Sequence, residues 1–169
     1  MTTRWLSPAE QRAWRAYVAA SSLLEDAIDR RLQAEAGMSH LYYSILATLS
    51  EAPDRRLRMT GLAEVLKITR SRLTYAVKRL ESDGALRREG CPTDRRGQVT
   101  VLTDEGMATL ERTAPGHVET VRSAVFDQLT PEQVGQLEEI CGRITRAIQD
   151  GAPGAVGEDL PWRRRSTAS

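Results

Sequence analysis

Two short amphipathic segments separated by a two-residue turn constrain this chain more than any other feature of its sequence. The first begins near Thr60, which we expect to cap it, and the second begins at Thr69 and ends at Gly84. Apolar residues recur every three or four positions in both segments, the period of a helix with one buried face. We therefore predict two helices packed on one core, with the turn at Lys67-Ile68.

The second helix separates its apolar and polar residues onto opposite faces. Leu73, Ala76, Val77 and Leu80 form one stripe, which should face the core. The other face is small, polar and basic, and we expect it to contact a partner. The candidate contact residues of this helix are Thr69, Arg70, Ser71, Arg72, Thr74, Tyr75, Lys78 and Arg79.

A strand–turn–strand pattern follows the second helix directly. Leu86–Cys91 and residues 98–102 are predicted to be short strands joined by a turn over residues 92–97. The tip carries Asp94, Arg95 and Arg96, and the aspartate is expected to hold one arginine through a charge-assisted hydrogen bond. Two helices followed by a basic hairpin are the order of a winged helix-turn-helix domain.

Charge is unevenly distributed along the chain, although the formal net charge is only +1. Between residues 54 and 100 there are twelve Lys or Arg and six Asp or Glu, so the remainder is net acidic. Such a block is expected where a polyanion binds, although on charge alone a solvated basic face explains it equally well.

The order of elements and the charge together favour double-stranded DNA as the partner. The second helix would enter the major groove, and an arginine of the hairpin tip would enter the adjacent minor groove. The alternative is a helix-turn-helix domain that binds another protein without sequence-specific DNA binding. That alternative predicts a neutral outer face on the second helix.

Long helices are predicted on both sides of this segment. Ser7 can cap the first, with a proline and a glutamate placed as in a capping box, and the amphipathic pattern ends at Gly37. A second long pattern begins after Thr103, and Pro115-Gly116 should kink or interrupt it. Thr130 can cap a last helix, with a proline and Gln133 placed as in a second capping box. Residues 151–169 are rich in Gly, Pro, Ala and Arg, and we expect a disordered tail there.

Other functional classes find little support in the sequence. His40 and His117 stand apart from other ligand types, and Cys91 and Cys141 form no paired motif, so we predict no metal, no cofactor and no enzymatic activity. The N-terminus lacks the apolar core of a signal peptide, and no apolar run has membrane-spanning length. We therefore expect a cytoplasmic protein.

Two linked motifs resemble those of a known family. The segment Asp94-Arg95-Arg96-Gly97, followed by Leu102-Thr103-Asp104-Glu105-Gly106, is similar to the most specific motif of the MarR family of bacterial transcription regulators. The resemblance covers residues 7–150 and implies a single, mainly α domain over residues 1–150. Within it, the dimerisation helices would be residues 7–37 and 104–150, and the DNA-binding winged helix-turn-helix lobe with a two-stranded wing would be residues 54–103.

The resemblance also implies a function and a set of site residues. Members of the family usually repress transcription as homodimers on palindromic operators, and many release DNA when a small phenolic or lipophilic effector binds. By position, the family's DNA contacts correspond to Ser71, Arg72, Thr74, Tyr75 and Arg79, and in the wing to Asp94 and Arg96. An effector pocket would be lined by Trp14, Tyr17, Tyr42 and Tyr43, although aromatics at helical spacing more often belong to a core or an interface.

Overall fold

The computed structural model describes residues 2–91 and 94–151, without the side chains of residues 91–96. Within these residues the chain forms α1 (Pro8–Ala36), α2 (His40–Glu51), β1 (Arg56–Arg58), α3 (Met59–Leu66), α4 (Arg70–Ser82), β2 (Leu86–Cys91), β3 (Asp94–Leu102), α5 (Asp104–Ala124) and α6 (Pro131–Asp150). The strands form one antiparallel sheet in the order β1-β3-β2. The predicted fold class, a mainly helical winged helix-turn-helix, is confirmed. No helix in this part of the chain has the length and apolar character needed to cross a membrane.

Side-chain caps start the long helices where the sequence predicts them. The Ser7 hydroxyl accepts a hydrogen bond from the Glu10 backbone N–H at 3.3 Å, and the Glu10 carboxylate accepts one from the Ser7 N–H at 2.7 Å. The Ser7 N–H thereby lowers the pKa of Glu10. Thr130 and Gln133 form the same box at the start of α6. Gly37 ends α1 in the left-handed conformation, with φ of 61°.

The sheet departs from the predicted hairpin in three ways. β1 was not predicted, and it pairs with β3 through Arg56 opposite Val101. Because β1 runs directly into α3, Arg58 is the cap residue of that helix and the predicted cap, Thr60, lies inside it. β3 begins at Asp94 rather than Gln98, so residues predicted as a turn belong to a strand.

Of the kink or interruption predicted at Pro115-Gly116, the interruption is wrong, because α5 is one helix from Asp104 to Ala124. A proline inside a helix removes one backbone hydrogen bond, so packing must hold the two halves together. Such packing is present: a β-carbon built at Gly116 would lie 2.7 Å from Cδ of Glu35 in α1. α5 also packs along α1, and this contact favours one continuous helix.

The core lies where α2, α3 and α4 meet the base of the wing, the hairpin of β2 and β3. Leu73 and Val77 of α4 are fully buried, as are Leu46 of α2 and Leu62 of α3. All four residues of the predicted α4 stripe are buried. This packing fixes α4 with its opposite face outward.

The Leu-Thr-x-x-Gly motif joins the end of α4 to the start of α5. Thr103 caps α5 by accepting a hydrogen bond from the Gly106 N–H at 3.0 Å, and its hydroxyl lies 2.7 Å from the Gly84 carbonyl oxygen. A β-carbon at Gly106 would overlap the Ala85 carbonyl oxygen and lie 2.7 Å from Cδ1 of Leu102. Glycine is required here because backbone passes directly over the helix.

We therefore expect Gly106→Ala to lower the free energy of unfolding by about 1–3 kcal/mol, the usual effect of overpacking. Gly61→Ala in α3 is the matched control, because a β-carbon there meets nothing within 4 Å. The control should raise stability by up to about 1 kcal/mol through helix propensity. Urea unfolding at one protein concentration measures both, and equal stabilisation by the two substitutions would contradict the packing argument.

His117 of α5 lies in an aromatic cluster that joins three helices. Its ring centroid is 4.3 Å from that of Tyr43 and 5.6 Å from that of His40, both in α2. Nδ1 of His40 contacts the Glu25 carboxylate of α1 at 2.9 Å, whereas Nδ1 of His117 is buried without a hydrogen-bond partner among the described residues. Burial, and secondly the charge of His40, lower the pKa of His117.

The lowered pKa makes stability depend on pH through His117. As pH falls through the ordinary histidine value of 6.5, the unfolded chain takes up this proton before the folded chain does, so the free energy of unfolding decreases. His117→Phe keeps a ring against Tyr43 and should remove this part of the decrease. Urea unfolding at about pH 7.5 and about pH 5.5 measures it. An identical decrease in parent and variant would show that His117 does not cause it.

Candidate nucleic-acid interface

The outward face of α4 is exposed along its length. Ser71, Arg72, Thr74, Lys78 and Arg79 are all exposed. The large Tyr75 side chain is 75% exposed, although apolar rings are usually at least half covered. The structure therefore presents the predicted contact residues of this helix on one accessible surface.

Two hydroxyl groups of this face make hydrogen bonds to the backbone of α4 itself. Thr69 Oγ1 accepts a hydrogen bond from the Arg72 N–H at 3.3 Å and lies 3.2 Å from the Ser71 hydroxyl. Thr74 donates to the carbonyl oxygen of Arg70 at 2.8 Å. Thr69 therefore acts first as the N-cap of α4, and Ser71 is held beside it at the start of the helix.

Ion pairs neutralise much of the basic block at the far end of α4 and in the wing. Arg79 Nε lies 3.2 Å from Asp83, and Arg88 Nη2 lies 2.6 Å from Glu81. On the sheet, Arg87 contacts the Glu89 carboxylate at 2.9 Å. Arg56 reaches the same carboxylate at 3.5 Å, and Arg55 lies 3.1 Å from Asp104. The cations available to a partner are therefore fewer than the twelve that the segment contains.

Three cations of α4 make no ion pair with any residue that the structure describes. They are Arg70, Arg72 and Lys78. All three project from the exposed side of the helix, two of them in its first turn. Positive potential is therefore concentrated at the N-terminal end of α4, which also carries the positive end of the helix dipole.

The wing holds the remaining predicted contacts. The backbone of Asp94, Arg95 and Arg96 lies in β3, whose partner β2 has an irregular register between Gly90 and Cys91. The side chains of the three tip residues are outside the described part of the chain. Their assignment to the minor groove stays a prediction.

The structure adds residues that sequence reasoning missed. A groove of about 310 Å³ between α3, α4 and β3 is lined by Arg58, Thr60, Arg70, Thr74 and Gln98 among others. Arg58 and Thr60 come to this groove because β1 pairs with β3. A strand of only three residues leaves no alternation long enough to recognise, so the sequence carried no usable signal for it.

The four predicted effector residues do not meet at one place in a single chain. A cavity of about 430 Å³ between α1, α2 and α4 is lined by Tyr42, together with His40, Glu25 and the α4 residues Arg72 and Tyr75. Tyr43 is buried against His117 instead. Trp14 and Tyr17 lie on the exposed N-terminal half of α1, with their ring centroids 6.0 Å apart and their rings tilted by 32°.

Known proteins share both the sequence and this architecture. A model of the MarR family matches residues 36–97, which include α2, α3 and α4. Sco3205 of Streptomyces coelicolor, a MarR family transcriptional regulator solved in complex with DNA, is 56% identical to this chain. The superposition covers 96% of this chain and 99% of that one, with a TM-score of 0.86. The chain belongs to the MarR family.

Two helix-turn-helix regulators of lower identity match over shorter stretches. PecS, a transcriptional regulator of Dickeya dadantii, is 33% identical over 129 residues, 76% of either protein. YetL, a transcriptional repressor of Bacillus subtilis, is 33% identical over 108 residues. That alignment covers 64% of each protein, so this chain spans just under two thirds of YetL.

Proposed function

We propose that this MarR family protein is a sequence-specific transcriptional regulator that binds double-stranded DNA, acting as a repressor. The observation that carries the proposal is the exposed N-terminal end of α4, where Arg70 and Arg72 are without ion pairs among the described residues. The similarity to Sco3205, solved on DNA, and to the repressor YetL supports it. Such a regulator works on the chromosome, which places it in the cytoplasm.

Six exposed residues of α4 have specific roles in this proposal. The start of the helix enters the major groove, where Arg72 reaches base edges and the small Ser71 lets the backbone approach. Thr74 and Tyr75 contact bases or phosphates nearby. Lys78 and Arg79 contact phosphates, which sets the register and adds salt-dependent affinity. In the wing, Arg95 or Arg96 occupies the minor groove and Asp94 orients it.

A homodimer is the proposed active form. In one chain α6 buries none of its residues, although Leu137, Ile140, Ile144 and Ile148 recur at helical spacing on it. An exposed apolar stripe of this kind needs another surface to cover it. α1 has an exposed apolar surface too, which includes Trp14. Two-fold symmetry would place two α4 helices in successive major grooves about 10 base pairs apart, so the operator should be palindromic.

Ile144→Asp tests the dimer. A carboxylate in the middle of the α6 stripe should be tolerated in a monomer, where this residue is 42% exposed, but not in an apolar interface. Sedimentation should therefore show a dimeric parent and a monomeric variant, with loss of operator binding. Ser82→Asp, at an exposed position of α4 outside the predicted dimerisation helices, is the control for added charge and should sediment as a dimer. A variant that sediments as a dimer would exclude α6 from the interface.

A small-molecule effector is a further part of the proposal. The cavity beside α4 is lined by Tyr42 and His40 on one side and by Arg72 and Tyr75 on the other. A phenolic or lipophilic compound bound there would touch the same side chains that face DNA. Effector binding would then prevent Arg72 from taking the position that operator binding requires.

Selection of bound sequences from a random DNA pool by the purified full chain tests the proposed function. A regulator should enrich a palindrome with half-sites about 10 base pairs apart. No enrichment would refute the proposal and favour the protein-binding alternative.

Arg72→Ala and Lys78→Ala should separate base contact from phosphate contact. Loss of Arg72 should reduce the free-energy difference between selected and random DNA by about 1–3 kcal/mol. Loss of Lys78 should weaken binding to both DNAs equally, because phosphates carry no sequence. Competition titration at one salt concentration measures, for each variant, the ratio of its affinities for selected and for random DNA. An unchanged ratio for Arg72→Ala would remove this residue from base recognition.

A further inference from the structure

One ion pair joins α4 to the wing. Arg88 of β2 donates to the Glu81 carboxylate of α4 from Nε at 2.9 Å and from Nη2 at 2.6 Å. The backbone N–H of Arg88 donates to the other carboxylate oxygen at 3.3 Å. Three hydrogen bonds from one residue define both the distance and the orientation of the two elements.

This pair lies two residues before the irregular register of the hairpin. Arg88 is opposite Thr100, which is fully buried and donates its hydroxyl hydrogen to Met59 Sδ at 3.0 Å. Two residues beyond Arg88 the register between the strands becomes irregular, at Gly90 and Cys91. The wing is therefore held from α4 on one side and from α3 on the other just before its tip begins.

Other contacts already anchor the lower end of the wing. Leu86 and Leu102 pair with each other inside the core, and Thr103 bonds to the end of α4. The Glu81 and Arg88 side chains are about one third exposed, at 32% and 30%. A pair this exposed contributes little to the free energy of unfolding. Its main effect is therefore on the orientation of the wing relative to α4.

The other ion pairs that the structure describes in the wing do not reach α4. Arg87 and Arg56 both contact Glu89, which ties β2 to β1. Among the described residues, the Glu81 pair is the one ion pair between α4 and β2. It also lowers the pKa of Glu81 through the Arg88 hydrogen bonds, so the carboxylate stays ionised.

We propose that Glu81 is a positioning residue for DNA recognition, which acts through Arg88 to set the angle between α4 and the wing. At that angle the wing arginines reach the minor groove while α4 occupies the major groove. Without the pair the hairpin keeps its fold but samples other angles, and each wing loses its contact for part of the time. This inference rests on the proposed function and adds a determinant of its geometry.

The test removes the pair without changing net charge. In Glu81→Gln/Arg88→Met one acid and one base are lost, so the overall field of the protein is unchanged. The affinity for the selected palindrome should fall, and the slope of log affinity against log salt should become shallower by about one unit for each wing that disengages. Arg122→Met/Asp127→Asn removes an exposed pair between α5 and the turn that follows it; sedimentation checks that this variant is still a dimer, and its slope should equal that of the parent.

A double-mutant cycle distinguishes positioning from loss of stability. If Glu81 acts through the wing, removing the pair should cost little further affinity in an Arg95→Ala/Arg96→Ala background. A purely structural effect would lower affinity equally in both backgrounds and leave the salt slope unchanged, and that result would overturn the inference. Arg88→Lys, which keeps the charge but loses the two-pronged geometry, provides a milder second variant and should shift the slope in the same direction.

The outcomes also separate this inference from the proposed function. A parent that enriches no DNA refutes the function itself. A parent that binds its palindrome, with a pair-free variant of equal slope and equal minor-groove protection by hydroxyl-radical footprinting, refutes only the role of Glu81.

Discussion

The burial of one face of α4 is the interaction on which the rest of the structure depends. Leu73, Ala76, Val77 and Leu80 pack into the core formed with α2 and α3. Full burial of a leucine or valine side chain stabilises the fold by about 1.5–3 kcal/mol. Rotating the helix about its axis would expose several such side chains, and this loss would exceed the gain from any surface contact. The helix is thus held in one orientation, and its polar side must face the solvent or a partner.

Ion pairing then decides where the positive charge is available. Acidic residues lie beside arginines at the end of α4 and on the sheet, as with Asp83 and Glu89, and they neutralise those positions. The start of α4 has no such acid among the described residues, and Arg70 and Arg72 stay unpaired there. A chain of net charge +1 can therefore present a local cationic surface, because surface charges act over roughly one Debye length of about 8–10 Å rather than over the whole molecule.

Local signals predicted most helix boundaries correctly. Ser7, Thr69 and Thr130 cap helices because a hydroxyl oxygen within the same turn satisfies a free N–H, an interaction that requires no distant residue. Two predictions failed where distant packing prevailed. Thr60 lies inside α3 because β1 pairs with β3 and leads into the helix, and α5 continues through Pro115, where it packs along α1.

By itself the sequence determined the caps of α1, α4 and α6, the buried stripe of α4 and the exposure of its basic face, since these follow from signals within a few residues. Only the tertiary structure decided which arginines are free, where β1 lies, and that Tyr42 rather than Tyr43 faces the cavity beside α4. These features depend on residues that are far apart in the chain, such as Arg55 and Asp104 or Met59 and Thr100. The spacing of residues along a sequence indicates the geometry of a single helix or strand. Contacts between elements form only when the elements pack into the core.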